Sequence, residues 1–255
     1  MDLGIKDRRY LVGGGGRGLG AAIARALTAE GARVAVIARE SAELKRFAGA
    51  IGAVPVDADL STREGPAEAV ARAVAEFGGL DGLVINSGGP PPGRFEELDE
   101  AAWERAISGT LHSALRLTRE ALPHLRAGMD PSILIVMSSS VREPIPGLLS
   151  SNVLRPALSG LIKTLVDEIA PIRINGVAPG RFDTERVRGL DASRAQKAGI
   201  SVEEVQAQTR ARIPLGRYGD PDELGRVAAF LLSPAASYLD GVILPVDGGM
   251  LKSLP

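Results

Sequence analysis

A glycine-rich segment near the start of the chain has the composition of a phosphate-binding turn. Residues 13 to 20 read Gly-Gly-Gly-Gly-Arg-Gly-Leu-Gly, between an apolar run and an alanine-rich amphipathic stretch. Glycine lets the backbone turn tightly and approach a pyrophosphate, which the free N–H groups and dipole of a helix N-terminus then hold. An isolated glycine cluster could equally be a flexible turn, but the strand-turn-helix context favours the phosphate site. We therefore assign Gly14, Arg17, Gly18, Leu19 and Gly20 to a dinucleotide-binding turn.

Short apolar runs alternate with longer helical patterns and must position that turn. Seven runs are predicted as strands, at residues 8–12, 33–37, 53–56, 82–85, 132–137, 173–178 and 242–246. Strands separated by helices form a parallel sheet with helices on both faces. The sequence therefore predicts an α/β fold, a three-layer Rossmann fold with a doubly wound, seven-stranded parallel sheet.

Local signals mark the ends of several helices. Gly31 predicts the end of the first helix. Three cap signatures predict helix starts, namely Ser61 with Glu64, Ser201 with Glu204, and Asp220 with Pro221 and Glu223. No repeat or linker divides the chain, so one domain spanning residues 1–255 is expected. The polar stretch 181–212 carries helical pieces of its own and is predicted to form a lid over a site.

Composition excludes several classes of function. The net charge is -1 and the two signs are interleaved, which leaves no basic block for nucleic-acid phosphates. Cysteine is absent, which excludes disulfides and thiolate catalysis, and two separated histidines, His112 and His124, make a poor metal site. No apolar run approaches the ~20 residues that span a bilayer. We expect a cytoplasmic protein without nucleic-acid, membrane or metal partners, whose chemistry comes from hydroxyls, carboxylates, arginines or a cofactor.

The spacing Gly14-x-x-x-Gly18-x-Gly20 differs from the G-x-G-x-x-G of ordinary dinucleotide folds and resembles that of the short-chain dehydrogenase/reductase (SDR) family. The resemblance extends over nearly the whole chain and is closest to the 3-oxoacyl-ACP-reductase-like branch. It implies the following cofactor contacts: Asp59 and Leu60 at the adenine, Asn86 and Gly88 in the turn after strand four, and Pro179, Gly180 and Thr184 at the nicotinamide end. Residues 213–217 and 245–249 match further landmarks of the family.

Charge near the end of strand two indicates which nicotinamide cofactor is bound. An acidic residue there would accept hydrogen bonds from a ribose 2′-hydroxyl and repel a 2′-phosphate. Strand two ends without an acid, and Arg39 follows it. Arg17, in the glycine turn, is a second cation for the same phosphate, although Arg39 could instead only be a solvated residue at a helix start. We therefore predict NADP(H) in preference to NAD(H).

The residues expected to carry the chemistry depart from the family pattern. Reductases of the family use Tyr-x-x-x-Lys, in which the lysine lowers the tyrosine pKa from its ordinary ~10, together with a serine and an asparagine. The resemblance places Ser151 at the tyrosine position, Arg155 at the lysine position and Thr110 at the asparagine position. Only the serine is retained, as Ser138, with Ser140 on the same strand face as an alternative.

No other residue is a natural replacement for the missing pair. Lys163 is ~12 Å further along the same helix. The three tyrosines, Tyr10, Tyr218 and Tyr238, fall in a strand or in segments that are structural in the family. Arg155 could hold ribose hydroxyls or stabilise an oxyanion, but an arginine cannot shuttle a proton. Other polar candidates, for which a solvated loop is an equal explanation, are Asn152, Arg142, Glu143 and Arg181.

Pro156 suggests that this region is rebuilt. A proline inside a helix removes an N–H group and clashes with the preceding turn, whereas near the first turn it is tolerated. We therefore expect the helix that carries Ser151 and Arg155 in the family to start later here, or to kink.

Three functions remain open. The preferred one is an NADP(H)-dependent oxidoreductase with a non-standard proton path, in which Ser138 polarises a carbonyl with help from Arg155 and Ser151 occupies the tyrosine position. The second is a nucleotide-binding homologue without redox turnover, acting as a sensor or partner subunit. A lyase or dehydratase is the third. The substrate is a small molecule that the sequence does not identify. The helix predicted at residues 157–169 carries more apolar surface than one sheet face needs, and the family resemblance implies that it packs against its symmetry mate, so we expect a homotetramer.

Overall fold

The computed structural model describes residues 2–39 and 41–253, which form a seven-stranded sheet. The strands are β1 (Arg9–Gly13), β2 (Arg33–Ala38), β3 (Val54–Asp57), β4 (Gly82–Ile85), β5 (Ser132–Val136), β6 (Arg173–Pro179) and β7 (Ile243–Val246). Their order is β3-β2-β1-β4-β5-β6-β7, and every neighbouring pair is parallel. The predicted strand bounds agree to within one residue, and the predicted Rossmann fold is confirmed. The order reverses between β1 and β4, where such sheets open a crevice.

Helices cover both faces of the sheet. The nine α-helices are α1 (Gly18–Ala29), α2 (Ala42–Ile51), α3 (Gly65–Phe77), α4 (Glu100–Ile107), α5 (Ser113–Arg126), α6 (Leu149–Glu168), α7 (Glu185–Ala198), α8 (Val202–Ala211) and α9 (Pro221–Leu232), among the residues described. Strand residues alternate between two cores, with Leu11 and Leu83 packing with α3, α5 and α6, and Val12 and Val84 packing with α1, α2 and α9. Because both faces are buried, the strands read as continuous apolar runs.

Two of the predicted helix starts form capping boxes. Ser201 Oγ accepts from the Glu204 N–H at 3.1 Å, and the Glu204 carboxylate accepts from the Ser201 N–H at 2.9 Å. Asp220 and Glu223 make the same reciprocal arrangement at the start of α9. Gly31 has a left-handed φ of 81° just beyond α1, as its predicted role requires. These caps satisfy N–H groups that the first turn of a helix cannot pair internally.

The prediction that Ser61 and Glu64 cap a helix is wrong. Helix α3 begins at Gly65, and Glu64 at its N-cap makes no side-chain cap hydrogen bond. Ser61 instead donates from its backbone N–H and its hydroxyl to Asp59 Oδ1, at 2.9 and 2.7 Å. Thr62 Oγ1 accepts from the Gly65 N–H at 3.0 Å. The two bonds to Asp59 hold residues 59–61 in a turn, so the helix begins further along the chain than the Ser61 pattern predicts.

Of the two effects expected of Pro156, a later helix start is wrong, while a kink stays a prediction. Helix α6 begins at Leu149 and continues through Pro156 to Glu168. The proline lacks the N–H that would bond the Asn152 carbonyl. Leu154, Leu158 and Ile162 are nevertheless buried against the sheet, so packing of the apolar face holds the helix through this missing bond. Within the described part of the chain, no helix is long and apolar enough to cross a bilayer.

Candidate active site

A cleft of about 1800 Å³ runs along the carboxyl ends of the strands. Loops that follow all seven strands contribute to its walls, and α7 and α8, within the predicted lid, add Arg186, Arg194 and Thr209. The cleft brings together all but one of the predicted site residues, namely Gly14, Arg17, Gly18, Leu19, Arg39, Asp59, Leu60, Asn86, Gly88, Ser138, Ser151, Arg155, Pro179, Gly180 and Thr184. The exception is Gly20, which lies behind the wall.

Close backbone packing explains the glycines of the first turn. Gly14 has a φ of 56°, and a Cβ on it would lie 2.4 Å from the Asn86 carbonyl oxygen. A Cβ on Gly20 would lie 2.2 Å from the Gly14 carbonyl oxygen. Asn86 Nδ2 donates to the carbonyls of Gly13 and Gly14, at 3.2 Å each. The ends of β1 and β4 are thereby joined, and the free N-terminus of α1 faces the cleft.

Charged residues surround the β2 and β3 end of the cleft. Asp59 accepts from the hydroxyl and backbone N–H of Ser61, which lower its pKa, with a smaller contribution from the positive charge of Arg39. Arg17 Nη1 lies 3.3 Å from Glu185 Oε2, and both side chains are exposed. Arg39 and Arg17 therefore both border this end, while Arg17 contacts the first residue of α7.

The segment after β6 joins the glycine turn to α7. Thr184 Oγ1 accepts from the Val187 N–H at 3.3 Å and caps α7. A Cβ on Gly18 would lie 3.8 Å from Thr184 Cγ2, so the glycine turn and the start of α7 are in contact range. A Cβ on Gly180 would lie 2.6 Å from Asp247 Cβ, which explains a glycine beside the loop after β7.

A short chain of serines lies at the end of β5. Ser138 Oγ accepts from the Ser140 N–H at 3.1 Å. Ser140 Oγ and Ser151 Oγ are 3.2 Å apart, and either hydroxyl can donate. Ser138 and Ser151 line the cleft, whereas Ser140 is buried behind them. Of the two serines considered on this strand face, Ser138 is thus the one that reaches the cleft.

Arg155 is a buried cation that lines the same end of the cleft. Its residue surface is only 7% exposed, and Nη1 donates to the Val136 carbonyl oxygen at 2.5 Å. Nε is buried and has no hydrogen-bond partner. Burial, followed by the positive charge of Arg186, lowers the pKa of Arg155 to about 10. The guanidinium therefore stays protonated at neutral pH with part of its donor capacity unused.

Thr110 is a second buried polar group without a partner. It lies in a π-helical segment, Ser108–His112, between α4 and α5. Its Oγ1 is buried and makes no hydrogen bond, and the residue lines the cleft. Unpaired buried polar groups cost free energy. π-Helical turns are frequent at functional sites. Thr110 in this segment and Arg155 are the two cleft residues, among those described, that have a buried polar atom without a hydrogen-bond partner.

The residues lining the cleft include no tyrosine, lysine, histidine or cysteine within the described chain. Tyr10 is buried in β1, where burial raises its pKa well above the ordinary value. Tyr218 donates to Asp191 Oδ2 at 2.7 Å. Lys163 of α6 is exposed beside Gly241 and does not line the cleft. The hydroxyl-bearing and charged side chains here are thus those of serines, threonines, arginines and carboxylates.

The sequence did not indicate Arg186 as part of the site. Its guanidinium donates to the carbonyls of Gly89 and Pro90, at 3.1 and 2.9 Å, and so fastens α7 to the loop after β4. Arg186 is exposed to solvent, and partial desolvation by the protein around it lowers the pKa of its guanidinium. Its position two residues after Thr184 was the available signal, because the start of α7 must face the cleft.

The role of Glu143 was left open by the sequence. Its Oε1 accepts from the backbone N–H groups of Lys252 and Ser253, at 3.1 Å each. The carboxylate therefore binds the segment after β7, from which Met250 and Leu251 line the cleft.

Comparison with known proteins gives consistent results. Residues 14–251 match the family model described as enoyl-(acyl carrier protein) reductase. The chain is 35% identical to cis-4-hydroxycyclohexanecarboxylate dehydrogenase of Sinomonas cyclohexanicum, covering 98% of each chain. It is 30% identical to the 3-oxoacyl-[acyl-carrier-protein] reductase MabA of Mycobacterium bovis, covering 96% of this chain and 93% of the relative. L-sorbose reductase of Gluconobacter frateurii, solved with NADPH and L-sorbose, superposes with a TM-score of 0.94 at 29% identity over all of both chains.

Proposed function

This chain belongs to the short-chain dehydrogenase/reductase family, and we propose that it is an NADP(H)-dependent oxidoreductase that interconverts a carbonyl compound and an alcohol. The observation that carries the proposal is the single cleft joining the glycine turn of β1 to Ser138 after β5. A dehydrogenase and two reductases are among its similar proteins, and one of them was solved with NADPH. Both substrates of a hydride transfer fit side by side in a cleft of about 1800 Å³.

The residues present fit a nicotinamide dinucleotide. Gly14 and Gly18 adopt left-handed φ values that leave the backbone N–H groups at the start of α1 accessible to a pyrophosphate. Arg17 and Arg39 supply planar cations suited to a 2′-phosphate, and Asp59 lies beside Arg39. When bound, the cofactor supplies the hydride and the chain supplies binding and orientation. NADP(H) is therefore preferred to NAD(H).

The proposed proton path differs from a tyrosine-lysine pair. Ser138 donates a hydrogen bond to the carbonyl oxygen, and protonated Arg155 stabilises negative charge that develops on it. Ser151 lines the cleft beside Ser140, so its hydroxyl can pass a proton to the alkoxide that hydride transfer leaves and take one back from cleft water. Arg155 holds its proton at neutral pH and thus acts as a donor of hydrogen bonds, not as an acid.

A second candidate is a nucleotide-binding protein without redox turnover. The observation that favours it is the lack, among the described cleft residues, of any tyrosine, lysine or histidine. General acid-base groups contribute about 10²–10⁴-fold to rate, so their loss leaves binding intact while it slows the chemistry. In this alternative the chain binds a nucleotide in the same cleft and acts as a sensor or as a partner subunit.

Single-turnover hydride transfer separates the two functions. NADPH is mixed with excess enzyme and a panel of ketones and 3-oxoacyl thioesters, and NADPH affinity is measured in parallel. An oxidoreductase oxidises NADPH with at least one ketone, and Ser138→Ala lowers that rate without changing NADPH affinity. Tight NADPH binding with no transfer to any ketone would favour the nucleotide-binding alternative.

We also propose that the protein assembles as a homotetramer. Leu158 and Ile162 of α6 are buried in the core of the chain itself, so α6 offers less free apolar surface than the sequence suggested. Other apolar side chains, Tyr238, Leu239 and Leu244, are exposed at and beside the edge strand β7. An open sheet edge with apolar neighbours favours association with another copy. Light scattering at micromolar concentration is expected to give about four times the chain mass, and a monomeric mass would refute it.

A further inference from the structure

Positive charge is concentrated in the cleft of a nearly neutral chain. The whole chain carries a formal charge of -1. Among the described residues, eight arginines and four carboxylates line the cleft. The arginines are Arg17, Arg39, Arg105, Arg155, Arg181, Arg186, Arg194 and Arg212, and the carboxylates are Glu43, Asp59, Glu143 and Glu185. Such a wall focuses a positive potential on whatever enters the cleft.

The four carboxylates do not neutralise the part of the cleft that Arg155 and Arg186 line. Glu185 pairs with Arg17, and Glu143 accepts from backbone N–H groups of the segment after β7. Asp59 belongs to the β3 end, and Glu43 lies on α2. Within the described chain no carboxylate forms an ion pair with Arg155 or with Arg186. Both guanidiniums are bonded only to backbone carbonyls.

The positive charges of Arg155 and Arg186 repel each other when no ligand is bound. Arg155 is 7% exposed, its Nε is unpaired, and the charge of Arg186 acts on it through the protein. A buried charge without a counter-charge is costly, and removal of that cost requires an anion within hydrogen-bonding distance. The two planar guanidinium forks, one from α6 and one from α7, both line the cleft, and such forks match the geometry of a carboxylate.

The phosphates of the cofactor are not the natural source of this anion. The glycine turn follows β1, whereas Arg155 donates to Val136 at the end of β5. In the sheet order, β4 lies between β1 and β5, so two strand spacings, about 10 Å, separate the two points. The anion at Arg155 therefore belongs to the second substrate.

We propose that Arg155 and Arg186 bind a carboxylate of the substrate, which is a short oxo acid or the matching hydroxy acid. The identity of the reaction rests on the proposed function, but the binding of the carboxylate does not. Ser138 and the Val136 carbonyl that holds Arg155 lie two residues apart at the end of β5. In a 2-oxo or 3-oxo acid the ketone is one or two bonds from the carboxylate, so one molecule can reach both groups.

Calorimetric titration tests the carboxylate site. The probes are acetoacetate and its neutral methyl ester, each with and without saturating NADP⁺, against wild type, Arg155→Met and Arg186→Met. The matched control is Arg119→Met, an exposed arginine of α5 outside the cleft. Wild type and the control are expected to bind acetoacetate at least tenfold more tightly than the ester, as a charge-assisted contact does. Each cleft variant is expected to lose that preference and still to bind NADP⁺.

The outcomes separate this proposal from the proposed function. Equal binding of acid and ester by wild type, in both conditions, overturns the carboxylate site. So does a result in which the cleft variants lose NADP⁺ affinity but keep the preference for the acid, because the anion is then a cofactor phosphate. A retained preference for the acid without any turnover of acetoacetate by NADPH supports the carboxylate site, while it counts against the oxidoreductase. Thermal unfolding of each variant shows that it is folded.

Discussion

The two ends of the cleft are built in different ways. At the β1 end, the shape is made by backbone. Gly14 and Gly20 lie so close to the carbonyl oxygens of Asn86 and Gly14 that a Cβ on either glycine would clash. At the β5 end, the surface is made by side chains, and two of them, Thr110 and Arg155, contain buried polar atoms without partners. A backbone-built region tolerates little substitution. A region built from side chains can change its chemistry while the fold stays the same.

Helix α6 illustrates the second case. Ser151 and Arg155 replace the pair that the family resemblance implies, and Pro156 follows them, yet α6 runs unbroken from Leu149 to Glu168. Folding here depends on the buried face of the helix, which none of these replacements removes. The free energy that holds the fold and the groups that decide the reaction are therefore carried by different residues, and substitutions can test them separately.

The largest effect is expected for Gly20→Ala, which tests whether the β1 end is fixed by backbone contact. The new Cβ would lie 2.2 Å from the Gly14 carbonyl oxygen and 2.6 Å from Asn86 Nδ2, so the turn must move. Overpacking against backbone is expected to lower the free energy of unfolding by about 3 kcal/mol and NADPH affinity at least a hundredfold. Urea unfolding and calorimetry measure both. The control is Gly49→Ala in α2, where a Cβ meets nothing within 4 Å and stability should rise slightly.

The second prediction tests whether the β5 end differs from its relatives by more than two side chains. The double variant Ser151→Tyr with Arg155→Lys should remain a poor reductase, because Ser151 is 6% exposed and a phenol must displace its surroundings. Misplacement by ~1 Å can cost a hundredfold in rate. Adding Pro156→Ala, which restores the N–H group opposite the Asn152 carbonyl, and Thr110→Asn, at the asparagine position of the family, should recover about that factor. Steady-state NADPH oxidation with a diketone compares the two variants, and equal rates would show that two side chains are the whole difference.

The third prediction concerns the stability of the ligand-free protein. Burial lowers the pKa of Arg155 to about 10, so the unfolded chain binds this proton more tightly than the folded protein. The charged form therefore destabilises the fold at every pH below about 10, and stability is regained as the pH rises from about 10 towards the ordinary arginine value. Arg155→Met should raise the free energy of unfolding at pH 7 by about 1–2 kcal/mol, even though it loses the bond to Val136.

Urea unfolding at pH 7 and pH 10.5 checks this prediction. The difference between Arg155→Met and wild type should narrow at the higher pH, because the wild-type guanidinium is then partly neutral. A wild type that is more stable than the variant at pH 7 would mean that Arg155 contributes more through packing and its hydrogen bond than its charge costs.

The smallest effect is expected at the β2 end, where charge selects between cofactors. Arg39→Asp should weaken NADPH binding about tenfold and bring NADH affinity level with it or above it, because a carboxylate accepts from a 2′-hydroxyl and repels a 2′-phosphate. The control is Arg46→Asp, an exposed change on α2 outside the cleft. Calorimetric titration of both cofactors measures the change. Equal affinity of wild type for NADPH and NADH would remove the basis of the proposed cofactor preference.

Local chemistry was predictable at most of the positions where neighbours in sequence decide it. The capping boxes at Ser201 and Asp220 and the left-handed Gly31 depend on residues within one turn, and the sequence identified each of them. Ser61 was misassigned because its N–H and hydroxyl both donate to Asp59, which holds residues 59–61 in a turn ahead of the helix. Pro156 was misjudged because the local cost of a proline is offset by burial of residues on the same helix against a distant sheet.

The sequence by itself determined the fold and the backbone of the β1 end, because apolar periodicity fixes which strands are buried and glycine spacing fixes where backbone can approach backbone. Only the tertiary structure decided the charge of the β5 end. Arg186 enters the site from α7, Val136 holds Arg155 from β5, and Glu143 is occupied by the segment after β7. The pKa and hydrogen bonding of a guanidinium depend on groups brought near it from distant parts of the chain, and no local pattern encodes that proximity.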